Sequence, residues 1–600
     1  MSHPVTSIYS NKSVIEQDLE ANGDSSSQSK PELGHKDPKS EKDGCAGLEK
    51  YVSEEVSESD SSTKLSWIQR LKLKFPYHRL AIHIFVGCFF TAWWLSIIIQ
   101  DKHRHQWLIP TVLWGMLMVR LISFHCRILY WIFHQISFVW TSATNFIYTK
   151  VLVRRGHRLI VGAIICIAVI LLGTFVPSEV AYSKREDRAI SFFGLVVAIF
   201  GLWATSKHRS KIQWNSVIGG MLMQFIIALF VLRTKCGYDV FNFISTLARE
   251  LLGFSKDGVA FLTNSSVAHL SMFFFTVLPS VAFFVAFIHI LSYYGVLVWF
   301  IKKFSAIFFW SLRISGAEAI TASASPFLGI GESAILIKDL IPYLTKAELH
   351  QIMTSGFATI SGAVLVGYIG LGLNAQALVS SCVMSIPAAI AISKLRYPET
   401  EECLTSGSAE IPKPEVEDKD KPTNVLQAFS NGANLGLRTA GTMMIQCMCI
   451  IGLVALINGL LTWFGKFWNI GELTLELILS YILYPVSFLL GVPRNEILLV
   501  SKLIAYKVIQ NEYVAYNLLM NESPYKEMSK RGILIATYSV CGFANLGSMG
   551  ITIGVLNTLL NNKRSKDIAQ NIMSALICGG ISTLTSAAIA GMVMHDSGAF

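Results

Sequence analysis

Two acids and two glycine-rich interruptions stand inside apolar runs of this chain. Glu332, in GIGESAILI, lies 24 residues before Gly356-Phe357-Ala358-Thr359-Ile360-Ser361-Gly362, and Glu512, in QNEYVAY, lies 30 residues before Gly542-Phe543-Ala544-Asn545-Leu546-Gly547-Ser548. A carboxylate with amide and hydroxyl neighbours offers hydrogen-bond partners to a polar solute and oxygen ligands to a cation. A charged acid near the centre of a bilayer costs about 2.5 to 3.5 kcal/mol on insertion scales, so two in matching places point to ligand binding. Glycine and serine also let membrane helices pack closely, which is the competing reading of the GFA motifs. Paired interrupted helices expose backbone groups that a ligand, an ion or neighbouring protein must satisfy, and mark a transporter's midplane site. The four segments are therefore read as one site.

The chain around them is built for lipid. Its 600 residues are 52% hydrophobic and 15% charged, with a mean hydropathy of +0.48, the profile of a polytopic membrane protein. The net charge of +10 is unevenly spread. Residues 1–64 carry 13 acidic and 7 basic side chains and 14 serines, which describes a disordered cytoplasmic tail open to phosphorylation. The basic excess sits beside the spans, which argues against a nucleic-acid partner. Eleven cysteines fall singly, and Cys447 with Cys449 matches no zinc or redox spacing, so neither a metal site nor a disulfide framework is expected. No apolar core follows the start, so no cleavable signal peptide is expected.

Bilayer-length runs follow a basic flank (Arg70, Lys72, Lys74, Arg79) at about 80–100, 107–125, 158–176, 189–205 and 215–233. With the N-terminus cytoplasmic, the basic segments Arg127 to Arg158 and Lys207 to Lys211 fall inside, and Glu179 to Arg188 and the triplet Asn264-Ser265-Ser266 outside. Residues 238–254 read as an amphipathic helix, with Val240, Phe243, Ile244, Leu247, Leu251 and Phe254 on one face, suited equally to the membrane interface or to packing on the soluble side. After a span at 267–291, the stretch 295–345 is broken by Gly316, Pro326, Gly329 and Gly331 and reads as including a re-entrant hairpin. Residues 350–393 give two crossings, and a charged loop at about 394–424 divides the core. The second half has a span at 441–463, a broken stretch at 475–520 interrupted by Pro485 and Pro493, and crossings at about 532–560 and 569–594.

Three stretches carry a resemblance: GAEAITASASPFLGIGESAILI at 316–337, GFATISGAVLVGYI at 356–369, and NEYVAY with CGFANLGSMGI at 511–516 and 541–551. On these the core from about residue 190 to 594 resembles the concentrative nucleoside transporter family, cation-coupled symporters that import nucleosides. The resemblance implies an all-α polytopic membrane protein with an inverted-repeat transporter core, two re-entrant helical hairpins and two unwound helices. Three N-terminal spans precede it. The expected domains are the tail 1–64, the flank and three spans at 65–188, the core at 189–594 (repeats at about 267–393 and 425–594) and a short tail at 595–600. A homotrimer in the plasma membrane, with the N-terminus cytoplasmic, is expected.

By position in the family, Ile330, Gly331, Glu332 and Val364 face the nucleobase, while Glu512, Asn545 and Ser548 bind the ribose with Phe543 beside it. The cation-coupling positions map to Ser325, Leu328, Thr359 and Ile360 together with Glu332, Glu512 and Glu318. Glu318 reads equally as a structural partner for a lysine or a helix end. Two departures set expectations. Many members have Gln or Met and then Thr or Ser where this chain has Ile330 and Gly331, which favours purine nucleosides. Sodium-coupled members have asparagine where this chain has Ser325, which favours coupling to H+, with Na+ as the alternative. The substrates expected are adenosine, guanosine, inosine and uridine, with no cofactor and no enzymatic activity. A transporter of another small polar metabolite is the nearest rival. A membrane receptor has no need of paired broken helices, and an intramembrane hydrolase would need an activated nucleophile that no His, Asp or Lys arrangement near Glu332 or Glu512 supplies.

Overall fold

The computed structural model describes residues 78–100, 107–125 and 155–594, apart from 181, 269–271, 330, 331, 338, 339, 402, 404–421, 561 and 562. The expected tails at 1–64 and 595–600 lie outside the described residues. So do Ile330 and Gly331.

Two units divide the chain, Met1–Ile128 and Leu129–Phe600. In the first, α1 (His78–Ile99) and α2 (Leu108–His125) are joined by indole and hydroxyl groups. Trp94 Nε1 donates to Thr111 Oγ1 at 2.9 Å and Trp114 Nε1 to Thr91 Oγ1 at 3.1 Å, while the two indoles stack at 4.2 Å. Both N–H groups thus find partners in an apolar pair.

The second unit opens with α3 (Arg155–Phe175), α4 (Arg185–Ala204), α5 (Trp214–Arg233), α6 (Lys235–Gly253), α7 (Ser255–Leu262) and α8 (Ser265–Ala268). Then one order of elements occurs twice. Its first pass is α9 (Phe273–Tyr293), α10 (Val296–Leu312), the hairpin α11 (Gly316–Ala324) and α12 (Glu332–Ile335), the broken helix α13 (Lys346–Ala358) and α14 (Gly362–Gly370), and α15 (Ala375–Arg396). Its second is α16 (Val425–Lys466), α17 (Leu475–Leu489), the hairpin α18 (Ile497–Ile509) and α19 (Glu512–Asn521), the broken helix α20 (Lys530–Val540) and α21 (Leu546–Leu559), and α22 (Ser565–Val593). Among the described residues there is no strand, only an isolated bridge between Val180 and Ser183. Helices α4, α5, α9, α15, α16 and α22 are long and apolar enough to cross a membrane, and α1 to α3 carry the shorter apolar stretches His83–Ile99, Pro110–Ile122 and Leu159–Phe175.

Helix α6 keeps Val240, Ile244 and Leu247 exposed on its apolar face. Pro485 does not interrupt its run: it lies inside α17, which continues to Leu489. Pro279 and Pro387 likewise sit inside α9 and α15. Membrane helices accept proline because neighbours and local adjustments satisfy the freed backbone groups.

The larger departure is α16, a single helix of 42 residues that starts at Val425, capped by Asn424, rather than near residue 441. Its first turns carry Asn431, Asn434 and Arg438, while Ala428, Gly432, Gly436 and Ala440 form a buried stripe of small residues at spacing four. That stripe lies against α9: a Cβ on Gly432 would stand 2.8 Å from Ala286 Cα, and one on Gly436 2.7 Å from the Ala282 carbonyl oxygen. Close backbone approach is what small residues supply in a membrane, where no hydrophobic force separates helix from lipid. Gly436→Val should therefore lower the melting temperature of the detergent-solubilised protein by several degrees, since overpacking costs about 1 to 3 kcal/mol. Gly441→Val, with nothing within 4 Å of its new Cβ, should leave it unchanged. Equal melting of the two variants would rule out the seam.

Candidate functional site

The site is assembled where the helices stop. Hairpin two turns at Gln510 and Asn511, and the Asn511 side chain accepts the Val514 N–H at 2.9 Å, which caps α19 and fixes Glu512 at its first position. A carboxylate there faces the positive end of the helix dipole. The break between α20 and α21 turns through Gly542, whose φ of +116° favours glycine, and Asn545 caps the resumed helix by accepting the Ser548 N–H at 2.8 Å. In the first half, Ser361 occupies the corresponding place and accepts the Val364 N–H at 3.4 Å.

The two breaks touch. The Phe543 N–H donates to the Thr359 carbonyl at 3.3 Å. A Cβ on Gly542 would lie 3.0 Å from the Phe357 carbonyl oxygen and 3.1 Å from that of Ala358, so both φ and space demand glycine. Beneath them the buried Lys507 ammonium lies 3.4 Å from the Ser539 carbonyl and 3.4 Å from Thr583 Oγ1, at the negative end of α20.

Both oxygens of Glu512 are engaged. Tyr368 Oη donates to Oε1 at 2.7 Å and Asn545 Nδ2 donates to Oε2 at 2.8 Å. Around this group lies a cavity of about 540 Å³, within the size range of small-molecule sites. Val364, Glu512, Phe543, Asn545 and Ser548, all read from the sequence as substrate positions, line it together. Phe327 and Gly329 bring the tip of hairpin one to the same wall. Glu332 stands at the first position of α12, as Glu512 does in α19; its side chain lies outside the described residues.

None of Ser325, Leu328, Thr359 and Ile360, the positions expected to couple a cation, lines the cavity. Ser325 Oγ donates to the Thr321 carbonyl at 2.8 Å and Thr359 Oγ1 to that of Ser355 at 3.0 Å. Glu318 is apart from the cavity: Oε1 is 2.5 Å from Lys394 Nζ, and Oε2 accepts the Ser315 N–H in the capping box that starts α11. It thus sits at both a lysine and a helix end.

Several contributors escaped the sequence reading. Tyr368 looked like one more residue of an apolar run. Glu476, an acid in the apolar LTLELILS, could have been found by the argument that singled out Glu332 and Glu512. It holds the tip of hairpin two, accepting from Gln510 Nε2 at 2.7 Å and from Asn458 Nδ2 of α16 at 2.8 Å. Helix α16 also gives the cavity Arg438, Thr442 and Gln446.

Comparison with known proteins gives this arrangement its relatives. Three sequence profiles match in order: "Na+ dependent nucleoside transporter N-terminus" at 193–266, "Nucleoside recognition" at 274–374 and "Na+ dependent nucleoside transporter C-terminus" at 377–591. Solute carrier family 28 member 3 of Mus musculus is 36% identical over 421 residues, 68% of this chain and 59% of that protein. Sodium/nucleoside cotransporter 2 of Rattus norvegicus is 33% identical over 437 residues, 70% of this chain and 64% of that protein. The chain thus spans about three-fifths of the length of these relatives. The solved structure of CNTnw in an inward-facing substrate-bound state is 30% identical with a TM-score of 0.62, covering 68% of this chain and 97% of the other. With the repeated hairpins and broken helices in place and a solved relative covered almost end to end, the chain belongs to the concentrative nucleoside transporter family.

Proposed function

We propose that this protein is a secondary active symporter that imports nucleosides, drawing on a cation gradient. The observation that carries the reading is the convergence of Glu512, Asn545, Ser548, Phe543 and Val364 on one cavity. A carboxylate aimed by Tyr368 and Asn545 is preorganised to accept hydrogen bonds from the vicinal hydroxyls of a ribose, and a site built for those hydroxyls rejects sugars lacking them. Val364 supplies apolar contact to the nucleobase and Phe543 lies beside the ribose. The protein acts as a homotrimer in the plasma membrane, with the hairpins and broken helices of both repeats, 267–393 and 425–594, moving as a transport domain against a trimeric scaffold.

The base preferred is a purine. Ile330 and Gly331 offer neither the amide nor the hydroxyl that reads a pyrimidine edge, and glycine leaves room for a bicyclic base. Labelled nucleoside uptake in cells lacking their own carriers tests both statements. Adenosine, guanosine and inosine should be accumulated, and unlabelled cytidine and thymidine should compete severalfold less well than guanosine. Binding without net uptake would return the protein to the receptor class, and equal competition by cytidine would remove the purine preference.

The coupling cation is H+, since Ser325 stands where sodium-coupled members place an asparagine and its hydroxyl is shorter than the amide it replaces. Sodium is the second reading, favoured by the names of the matched sodium/nucleoside cotransporters.

A further inference from the structure

Helix α16 presents two unlike faces. The small-residue stripe is packed on α9, and on the opposite side Arg438, Thr442 and Gln446 follow one another at spacing four, about 6 Å apart along the axis, in the cavity wall. Of these, Gln446 carries an unmet demand: its amide oxygen is buried with no hydrogen-bond partner. A buried carbonyl oxygen is normally paired, so one without a partner on a residue that lines a cavity marks where a donor is missing. Gln446 faces α21, since a Cβ on Gly550 would stand 4.0 Å from its Nε2. Gly547, Gly550 and Gly554 of α21 line the same cavity and leave space in its wall, and the Ile551, Val555 and Leu559 side chains of that wall carry no hydrogen-bond donor. Asn545 caps α21 and Ser548 lies in its first turn, so the helix that Gln446 faces is the one that carries the sugar-binding positions of the reading above.

Resting on the nucleoside reading above, we propose that Gln446 is a substrate-contacting and specificity-determining residue whose amide oxygen accepts a hydrogen bond from the 5′-hydroxyl of the ribose. An amide oxygen only accepts, so its partner must be a donor. The vicinal 2′- and 3′-hydroxyls are matched to Glu512, Asn545 and Ser548, which leaves the 5′-hydroxyl as the sugar donor still to be paired. The contact spans two parts of the molecule, because Gln446 belongs to the helix seated on α9 whereas Glu512 belongs to hairpin two.

The test is a cycle of Gln446→Met, which keeps the length and removes the oxygen, against adenosine and 5′-deoxyadenosine, with uptake normalised to surface expression. The variant should raise the KM for adenosine about tenfold, the scale of leaving one buried polar partner unpaired, with Vmax little changed. It should not raise the KM for 5′-deoxyadenosine, and it should raise that for 2′-deoxyadenosine as much as that for adenosine. Equal loss for adenosine and 5′-deoxyadenosine would show a structural role and overturn the assignment, as would an unchanged adenosine KM. Gln446→Leu, run beside it, should repeat the pattern; a different pattern from the two apolar variants also counts against the contact. Wild-type protein that takes up no nucleoside would overturn the functional reading itself, whereas normal wild-type uptake with an unaffected Met variant overturns this assignment alone.

Discussion

Glu512→Gln should cut nucleoside uptake at least tenfold at equal surface expression while leaving the protein folded. The geometry separates the two effects. Glutamine can keep both present contacts, its oxygen accepting from Asn545 Nδ2 and its amide N–H donating to Tyr368 Oη, where the carboxylate now accepts at 2.8 and 2.7 Å. What is lost is the charge and, with it, the stronger acceptor for the sugar hydroxyls. A hydrogen bond to a charged group contributes about 1.5 to 3 kcal/mol, and each 1.4 kcal/mol is a factor of ten, so a tenfold to hundredfold loss follows. Initial uptake rates and thermal melting of the purified variant check both halves. Tyr368→Phe should fall between this variant and wild type, because the carboxylate keeps its charge and loses one aligning donor. Near-normal transport by Glu512→Gln would take Glu512 out of the binding site.

Replacing external sodium by choline should leave uptake standing, lowering external pH should raise it, and a protonophore should abolish accumulation. Sodium needs several oxygen ligands at once. Around the expected site the Ser325 and Thr359 hydroxyls donate to helix carbonyls, and the Thr359 carbonyl already accepts the Phe543 N–H. With a serine in the asparagine's place the ligand set is short by one reaching oxygen. A carboxylate needs no such set, and Glu332 or Glu512 can take a proton on one side and release it on the other as its surroundings change. The driving force suffices: one positive charge crossing 100 mV supplies about 2.3 kcal/mol, enough for roughly fiftyfold accumulation. Uptake that requires sodium and ignores external pH assigns the coupling to sodium, with a water completing the ligands.

The site was legible in sequence to the extent that it violates the rules of lipid. Glu512 and the GFA segments are anomalies in an apolar run, and the helices do break at Thr359 and at Gly542. Groups that look ordinary in sequence were not legible. Tyr368 and Gln446 are unremarkable in composition and become functional candidates only once folding sets them against Glu512 and α21. The early start of α16 went unread because the span was placed by continuous apolar length at 441–463, while the signal that mattered was Ala428, Gly432, Gly436 and Ala440 recurring every fourth residue. Proline misled at Pro485, where a membrane helix simply runs on.

The hydrogen bond from Phe543 to Thr359 makes the two halves thermodynamically accountable to each other. In the proposed assignment Thr359 is a cation position and Phe543 a nucleoside position, so an occupant that shifts either backbone would alter the hydrogen bond between them. Such linkage is reciprocal: if the cation raises nucleoside affinity by some factor, the nucleoside raises cation affinity by the same factor. Titrating each ligand at fixed levels of the other should therefore return a single coupling constant, whichever ion proves to be the partner.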